Sequence, residues 1–262
     1  MNDRFLPSPR LVIAASVFIL SAFCSLASAQ QAPTGAQAPP IPLLSPSQPT
    51  AAGPPVGSGT SLSPAARKAA DQWGVAVRLH KAKHYQEAIA AYNSYIQTVR
   101  GANLASAALT PAYQNLTALY RAEGKVPELI GAINSWSTLA PTDANLHAEL
   151  GSIYASAKVQ RFDDAAKEAR RALSLKPSKS VSAACHATLG IVAIAKKQFQ
   201  EAEQEFALST RLLPSNTLML YNYGLALVER KKYGEALTIM RRATVVDPKM
   251  TGAWYVAAKV KA

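Results

Sequence analysis

The chain has 262 residues, two cysteines and a formal net charge of +12 at pH 7. Its mean hydropathy of +0.01 excludes a membrane protein with many spanning helices, because one stretch alone is apolar enough to cross a bilayer. Two cysteines exclude a scaffold held together by disulfides. The length allows one or two domains.

Residues 1–29 have the pattern of a secretory signal peptide. Arg4 and Arg10 precede an uncharged apolar run, and Ala27-Ser28-Ala29 supplies the small residues that signal peptidase requires. We expect cleavage before Gln30 and an exported protein that is periplasmic or secreted. The alternative is an uncleaved anchor, which would be the protein's membrane attachment and would also leave the rest of the chain outside the cytoplasm.

The sequence predicts different roles for the two cysteines. A lipoprotein modified at Cys24 is disfavoured because Phe23 stands where a small residue is needed. Signal cleavage would leave Cys185 alone, so no internal disulfide is possible. Its apolar, helical context predicts a buried side chain, with an intermolecular bridge as the alternative.

Residues 30–63 form an uncharged segment rich in Pro, Ala, Gln and Ser. Nine of the 17 prolines lie between Gln30 and Ala66. Such a segment has too little apolar side chain to offset the entropy lost on ordering. We predict a disordered spacer. Docking of its prolines into an aromatic groove of a partner is the alternative.

A repeated pattern dominates the remaining sequence. An aromatic residue precedes an alanine by three positions at Tyr85–Ala88, Phe162–Ala165, Phe199–Ala202 and Tyr233–Ala236. A proline follows the alanine twelve positions later at Pro177, Pro214 and Pro248, and a glycine precedes it by twelve at Gly190 and Gly224. This pattern resembles the tetratricopeptide repeat, a helix–turn–helix unit of 34 residues.

The resemblance divides residues 64–262 into five units and a terminal helix. The units are 69–102, 110–143, 144–179, 183–216 and 217–250, and the capping helix is 251–262. The first two units depart from the pattern, with Ala76 and Thr117 in place of the glycine, and the third has two extra residues between its helices. The resemblance implies an all-α, right-handed superhelical solenoid.

Small residues and prolines have a physical role in this pattern. Two helices approach closely where side chains are small, so we expect Gly151, Gly190 and Gly224 to lie against Ala165, Ala202 and Ala236. Proline cannot continue a helix, so the second helices should end at Pro141, Pro177, Pro214 and Pro248.

No catalytic motif is present in the sequence, which predicts a non-enzymatic protein without a cofactor. His80 and His84 are four residues apart and are a possible metal pair, but no third ligand lies nearby, so we predict no metal site. His147 and His186 occupy the same place in successive units and are interpreted as packing residues.

The resemblance also implies a concave groove lined by the first helix of each unit. The positions it assigns to this groove are Trp73, Val77, Gln114, Arg121, Asn145, Ile191, Ile194, Leu218, Tyr221, Leu225 and Val228. Trp73 and Tyr221 would be binding anchors. For Trp73, an equally good interpretation is that its side chain only covers the first unit. The Lys and Asn residues with which family members clamp a carboxylate are not matched here. The spacer itself, with Leu43, Leu44 and Leu62, is another possible occupant of the groove.

Basic residues collect where the first helices end, at Lys196, Lys197, Arg230, Lys231 and Lys232. Helix dipoles favour cations at this place, so solvated helix ends are the simplest interpretation. Stacked turns would alternatively form a basic ridge that binds an anionic surface of polysaccharide, phospholipid or acidic protein. Nucleic acid is not expected as a partner outside the cytoplasm.

Together these features predict a protein–protein interaction scaffold in the cell envelope. The groove would bind a peptide or helix of a protein partner. The alternative function is binding of an anionic envelope surface through the basic ridge.

Overall fold

The structure, a computed structural model, describes residues 62–261, with side chains to residue 258. The predicted signal peptide, residues 1–29, and residues 30–61 of the predicted spacer lie outside the described residues. Between residues 62 and 261 the chain forms eleven α-helices and one 3-10 helix, and no strand. This confirms the all-α prediction. No helix in that range is long and apolar enough to cross a membrane.

The described chain divides into two compact units, which meet in sequence between Thr142 and Asp143. The N-terminal unit contains four α-helices, α1 Pro64–Lys81, α2 Tyr85–Gly101, α3 Thr110–Ala122 and α4 Val126–Leu139, with a 3-10 helix at Ser106–Leu109. The C-terminal unit contains seven, α5 Ala144–Ala155, α6 Phe162–Ser174, α7 Lys179–Ala195, α8 Phe199–Leu212, α9 Thr217–Glu229, α10 Tyr233–Val246 and α11 Thr251–Lys261.

The helices pack as successive pairs. Each odd-numbered helix from α1 to α9 packs against the helix that follows it, and these five pairs agree with the predicted repeat count. The second helix of a pair also packs against the next first helix, as α2 does on α3, α6 on α7, α8 on α9 and α10 on α11. One pair cannot bury its apolar face alone, so the core continues from pair to pair within each unit.

Local sequence sets where these helices begin and end. The side chains of Ser63, Asp143, Ser178 and Asn216 each accept a backbone N–H at the start of a first helix. The last four second helices end two or three residues before a proline, as expected.

The turn inside a pair has a left-handed residue after the first helix. Lys83, Gly124, Lys197 and Lys231 have φ between +59° and +66°. Around Lys197, its N–H donates to the Ile194 carbonyl at 2.9 Å and the next N–H, of Gln198, donates to the Ala193 carbonyl at 2.8 Å. These two bonds form a Schellman motif, which satisfies carbonyls at the helix end. In the third pair the turn is longer, from residue 156 to 161, where the two extra residues were predicted.

Two of the three glycines that were expected to lie against alanines have different nearest neighbours. A Cβ on residue 151 would meet the backbone of Ala165 at 3.1 Å, which agrees with the prediction. The nearest atoms to such a Cβ at Gly190 and Gly224 belong instead to Phe206 and Met240. Two of the three glycines therefore accommodate a large side chain, which the spacing of glycine and alanine did not reveal.

Candidate functional site

Trp73 is a core side chain of the N-terminal unit. It is 8% exposed, and its ring centroid lies 5.5 Å from that of Tyr92 and 5.3 Å from that of Tyr95. The prediction of an accessible anchor at Trp73 is therefore wrong, because α2 presents two tyrosines that cover the indole. The alternative interpretation, that Trp73 covers the first unit, fits the structure.

The two tyrosines beside Trp73 carry buried hydroxyl groups. The Tyr92 hydroxyl accepts a hydrogen bond from Asn115 Nδ2 at 3.0 Å, and the Tyr95 hydroxyl donates to the Ala108 carbonyl at 2.9 Å. Burial raises the pKa of Tyr95 to about 12 and raises the pKa of Tyr92 well above its usual range. Both phenols are therefore neutral structural groups at physiological pH.

The structure does not place His80 and His84 in one site. His80 is buried, with Nδ1 3.3 Å from the Tyr92 hydroxyl, whereas His84 is exposed and lies 3.4 Å from Glu87. Within residues 62–261 no cluster of three or more His, Cys, Asp or Glu side chains could hold a metal ion.

The other predicted groove residues divide by exposure. In the N-terminal unit Val77, Gln114 and Arg121 are half-buried. In the C-terminal unit Asn145 is exposed and Ile194 and Val228 are half-buried. Four predicted groove residues are buried, namely Ile191, Leu218, Tyr221 and Leu225. Their assignment to an open surface is therefore wrong, because neighbouring helices cover them.

Tyr221 shows how this covering arises. It belongs to a buried cluster with Leu225, Met240 and Val256, and it is 6% exposed. A Cβ at Gly252 would lie 3.2 Å from the Tyr221 ring, so α11 packs directly over this tyrosine. The terminal helix thus removes from solvent the residue predicted as the second anchor.

The basic ridge is largely paired with acids. Lys196 Nζ lies 2.6 Å from Asp163, and Arg230 and Lys232 both bind Glu203, with Lys232 Nζ at 2.9 Å. Burial acts to raise the pKa of Glu203, but hydrogen bonds from Lys232 and Arg230 outweigh it and hold this pKa below its usual range. Lys197 and Lys231 are exposed and have no acid partner among the described side chains.

His147 and His186 have matching carboxylate partners. The Nδ1 atom of His147 lies 2.7 Å from Glu168, and that of His186 lies 2.7 Å from Glu205. Each pair joins the first and second helix of one repeat. The equal register of the two histidines was visible in sequence, but their partners were not, because each Glu lies on another helix.

Several solved structures share this arrangement of helix pairs. MamA matches with a TM-score of 0.56, 18% identity, and coverage of 71% of this chain and 94% of its own. YrrB, described as a tetratricopeptide-repeat protein with an unusual peptide-binding site, matches with a TM-score of 0.54, 19% identity, and coverage of 70% and 88%. A tetratricopeptide-repeat protein from Parabacteroides merdae has a TM-score of 0.53, 14% identity, and coverage of 74% and 71%.

The chain has the tetratricopeptide-repeat fold. The predicted resemblance is thereby confirmed at the level of the fold. Neither a known family profile nor a curated protein sequence matches the chain.

The sequence analysis missed a group of exposed large apolar side chains in the last two helices of this tetratricopeptide-repeat fold. It consists of Val245, Val246, Trp254 and Tyr255, which are 80%, 43%, 55% and 42% exposed. We call these four residues the end face. The Trp254 indole N–H donates to the Pro248 carbonyl at 3.0 Å, which holds the ring beside the turn between α10 and α11. Two adjacent aromatic residues in the last helix were the sequence signal for it.

Cys185 is buried, as its apolar, helical context predicts. This burial raises the pKa of its thiol to about 12. It is therefore a packing residue with little thiolate character.

Proposed function

We propose that the chain is a non-enzymatic scaffold that binds a peptide or an amphipathic helix of a protein partner. The tetratricopeptide-repeat fold supports this proposal, and YrrB, which shares the fold, is described as having a peptide-binding site. The absence of catalytic motifs from the sequence agrees with it.

The observation that carries the proposal is the exposed end face. Large exposed apolar side chains are uncommon in clusters on soluble domains and are typical of interaction surfaces. Trp and Tyr are also the residues most often found as binding hot spots. Trp254 and Tyr255 take the place of the buried Trp73 and Tyr221 as the anchors of this scaffold.

The accessible part of the predicted groove is a second contact surface for the same partner. Ile194 and Val228 occupy the same position in consecutive repeats and are both partly exposed and apolar. A partner segment that extends from the end face over the first helices would contact them.

We also propose that the scaffold acts outside the cytoplasm. The signal pattern of residues 1–29 supports export, with cleavage before Gln30. Mass determination of the protein purified from its native host tests this step. A mature chain that begins at Gln30 is expected, and a chain that keeps Met1 in the cytoplasmic fraction would overturn it.

Affinity capture from an envelope extract tests the binding function. Four baits are compared: the unaltered chain, Trp254→Ser with Tyr255→Ser, Ile194→Ser with Val228→Ser, and Lys197→Ser with Lys231→Ser. We expect a protein retained by the unaltered bait to be lost with the first double variant, weakened with the second and unaffected by the third. Retention should change little with salt, because apolar contacts are not screened.

The lysine variant separates the proposal from the anionic-surface alternative. Three of the five ridge cations already bind acids, so the ridge has less free positive charge than its sequence suggests. If capture is lost with Lys197→Ser and Lys231→Ser and declines steeply with salt, the working surface is the ridge and the proposal fails.

A further inference from the structure

The last helix, α11, exposes an uncharged stripe to solvent. Its exposed residues are Thr251, Trp254, Tyr255 and Ala258, and their i, i+3, i+4 and i+7 spacing places them on one face of the helix. The opposite face of α11 is buried in the cluster that contains Tyr221. The helix therefore has one apolar face in the core and a second one, with two aromatic rings, in water.

The same positions are covered in the preceding repeat. Trp254 and Tyr255 lie one 34-residue repeat after Leu220 and Tyr221 of α9, which are 0% and 6% exposed. The next first helix provides part of that cover, because a Cβ at Gly252 of α11 would lie 3.2 Å from the Tyr221 ring. Trp254 and Tyr255 are thus on the side of α11 where a further first helix would pack.

The charged residues close to the end face in sequence are mostly basic. Arg241 precedes Val245 by one turn of α10, and Lys249 lies in the turn to which the Trp254 indole is hydrogen-bonded. Both cations are exposed, and neither is paired with an acid among the described side chains. Asp247 is the one acid in this stretch; it is half-buried and accepts the backbone N–H of Lys249 at 2.9 Å. The rim of the end face therefore has a positive charge to offer.

We propose that the end face binds an amphipathic helix with acidic flanks from a partner protein, docked along α11 where a further first helix would lie. This inference rests on the proposed function and specifies the partner. A helix fits because helices cover the equivalent residues of α9. Acidic flanks fit because they would pair with Arg241 and Lys249, whereas a second copy of this chain would bring the same cations against them.

The contact of Gly252 with Tyr221 also indicates what the partner helix has opposite Tyr255. A Cβ at Gly252 would already be in tight contact with the Tyr221 ring, so a larger side chain there would hold the two helices apart. Tyr255 occupies the place of Tyr221 in the next repeat. The apolar stripe of the partner helix should therefore contain a small residue, Gly or Ala, that faces Tyr255.

Two synthetic helices test the proposal. Both peptides have about 20 residues and the same stripe of Leu with one central Ala, and the remaining positions are Glu and Gln in one and Lys and Gln in the other. Fluorescence anisotropy measures binding of each labelled peptide to the full chain. At low salt we expect the acidic peptide to bind about tenfold more tightly than the basic one, with a smaller ratio at physiological salt. Trp254→Ser with Tyr255→Ser should abolish binding of both.

A charge reversal with a matched control tests the acidic flanks. Arg241→Glu with Lys249→Glu should reverse the preference, so that the basic peptide binds more tightly. Lys197→Glu with Lys231→Glu makes the same change in net charge and should leave the preference unchanged. Lys231 is at the other end of the 14-residue α10 from Lys249, about 21 Å along the helix. All four side chains are exposed, so matching circular-dichroism melting curves are expected.

The outcomes distinguish this inference from the proposed function. Equal binding of both peptides, abolished by Trp254→Ser with Tyr255→Ser, would leave the end face as the binding surface and overturn the acidic partner. No binding of either peptide would overturn the helical partner, while capture from the envelope extract could still succeed. Peptide binding that this double variant does not weaken would overturn both. A chain that sediments as a dimer, and as a monomer with the double variant, would show that a second copy covers the end face and would also overturn the inference.

Discussion

The ring of Phe206 fills the space that a Cβ atom on Gly190 would need. Such an atom would lie 2.8 Å from both Cε1 and Cζ of the ring. At the equivalent Gly224 the obstructing atom is Met240 Cε, at 2.6 Å. A phenyl ring in a packed core has few alternative positions, whereas the unbranched methionine side chain adapts.

This difference predicts unequal effects of the same substitution. Gly190→Ala should lower the free energy of unfolding by about 1–3 kcal/mol, because overpacking outweighs the gain in helix propensity. Gly224→Ala should cost less, since Met240 can move. Gly131→Ala is the control, because a Cβ there meets nothing within 4 Å, and it should raise stability by about 0.5–1 kcal/mol. Urea unfolding monitored by circular dichroism measures all three. Equal stability of the Gly190→Ala and Gly131→Ala variants would contradict this packing.

Trp73 and Trp254 should separate stability from binding. Trp73→Ala removes a buried indole from between two tyrosines and should lower the free energy of unfolding by about 3–5 kcal/mol. Trp254→Ala alters an exposed ring and should cost less than about 1 kcal/mol. Partner capture should be lost with Trp254→Ala although that variant remains folded. A strongly destabilised Trp254→Ala protein would mean that the end face is part of the core.

Left-handed residues in the turns predict a stabilising substitution. Lys197 has φ +60°, a conformation that costs an L-residue energy but is free for glycine. Lys197→Gly should therefore raise the free energy of unfolding by about 0.5–1 kcal/mol. This figure allows for the greater conformational entropy that glycine gives the unfolded chain, which offsets part of the gain. Lys197→Ala removes the same charge without relieving the backbone and should bring no such gain. If the two variants are equally stabilised, the effect comes from charge and not from conformation.

Glu203 predicts a dependence of stability on pH. Its pKa is held below the usual range in the folded protein, so it contributes stability above the unfolded pKa, and this is lost as pH falls through the folded pKa. The wild type should therefore be more stable than Glu203→Gln at pH 7, with the difference shrinking on acidification. Urea unfolding at neutral and acidic pH measures this. A difference that is constant across the acidic range would show that the ion pairs with Arg230 and Lys232 contribute nothing.

Local sequence features alone determined the repeat and its boundaries. Caps such as Ser63 and Asn216, and prolines such as Pro214 and Pro248, act through bonds to residues a few positions away, so their effect is readable from the chain. The burial of Cys185 was likewise predictable, because both faces of its helix carry small and apolar residues.

Tertiary structure decided which residues of the first helices remain accessible. The sequence marks an apolar face on α9 but not what covers it, and packing of Gly252 against Tyr221 places that face in the core. The same holds for charge, since Glu203 joins Arg230 and Lys232 across 27 and 29 residues of sequence. Helix periodicity reports that a side chain is apolar or charged, whereas its exposure depends on contacts between helices distant in sequence, which the folded chain alone creates.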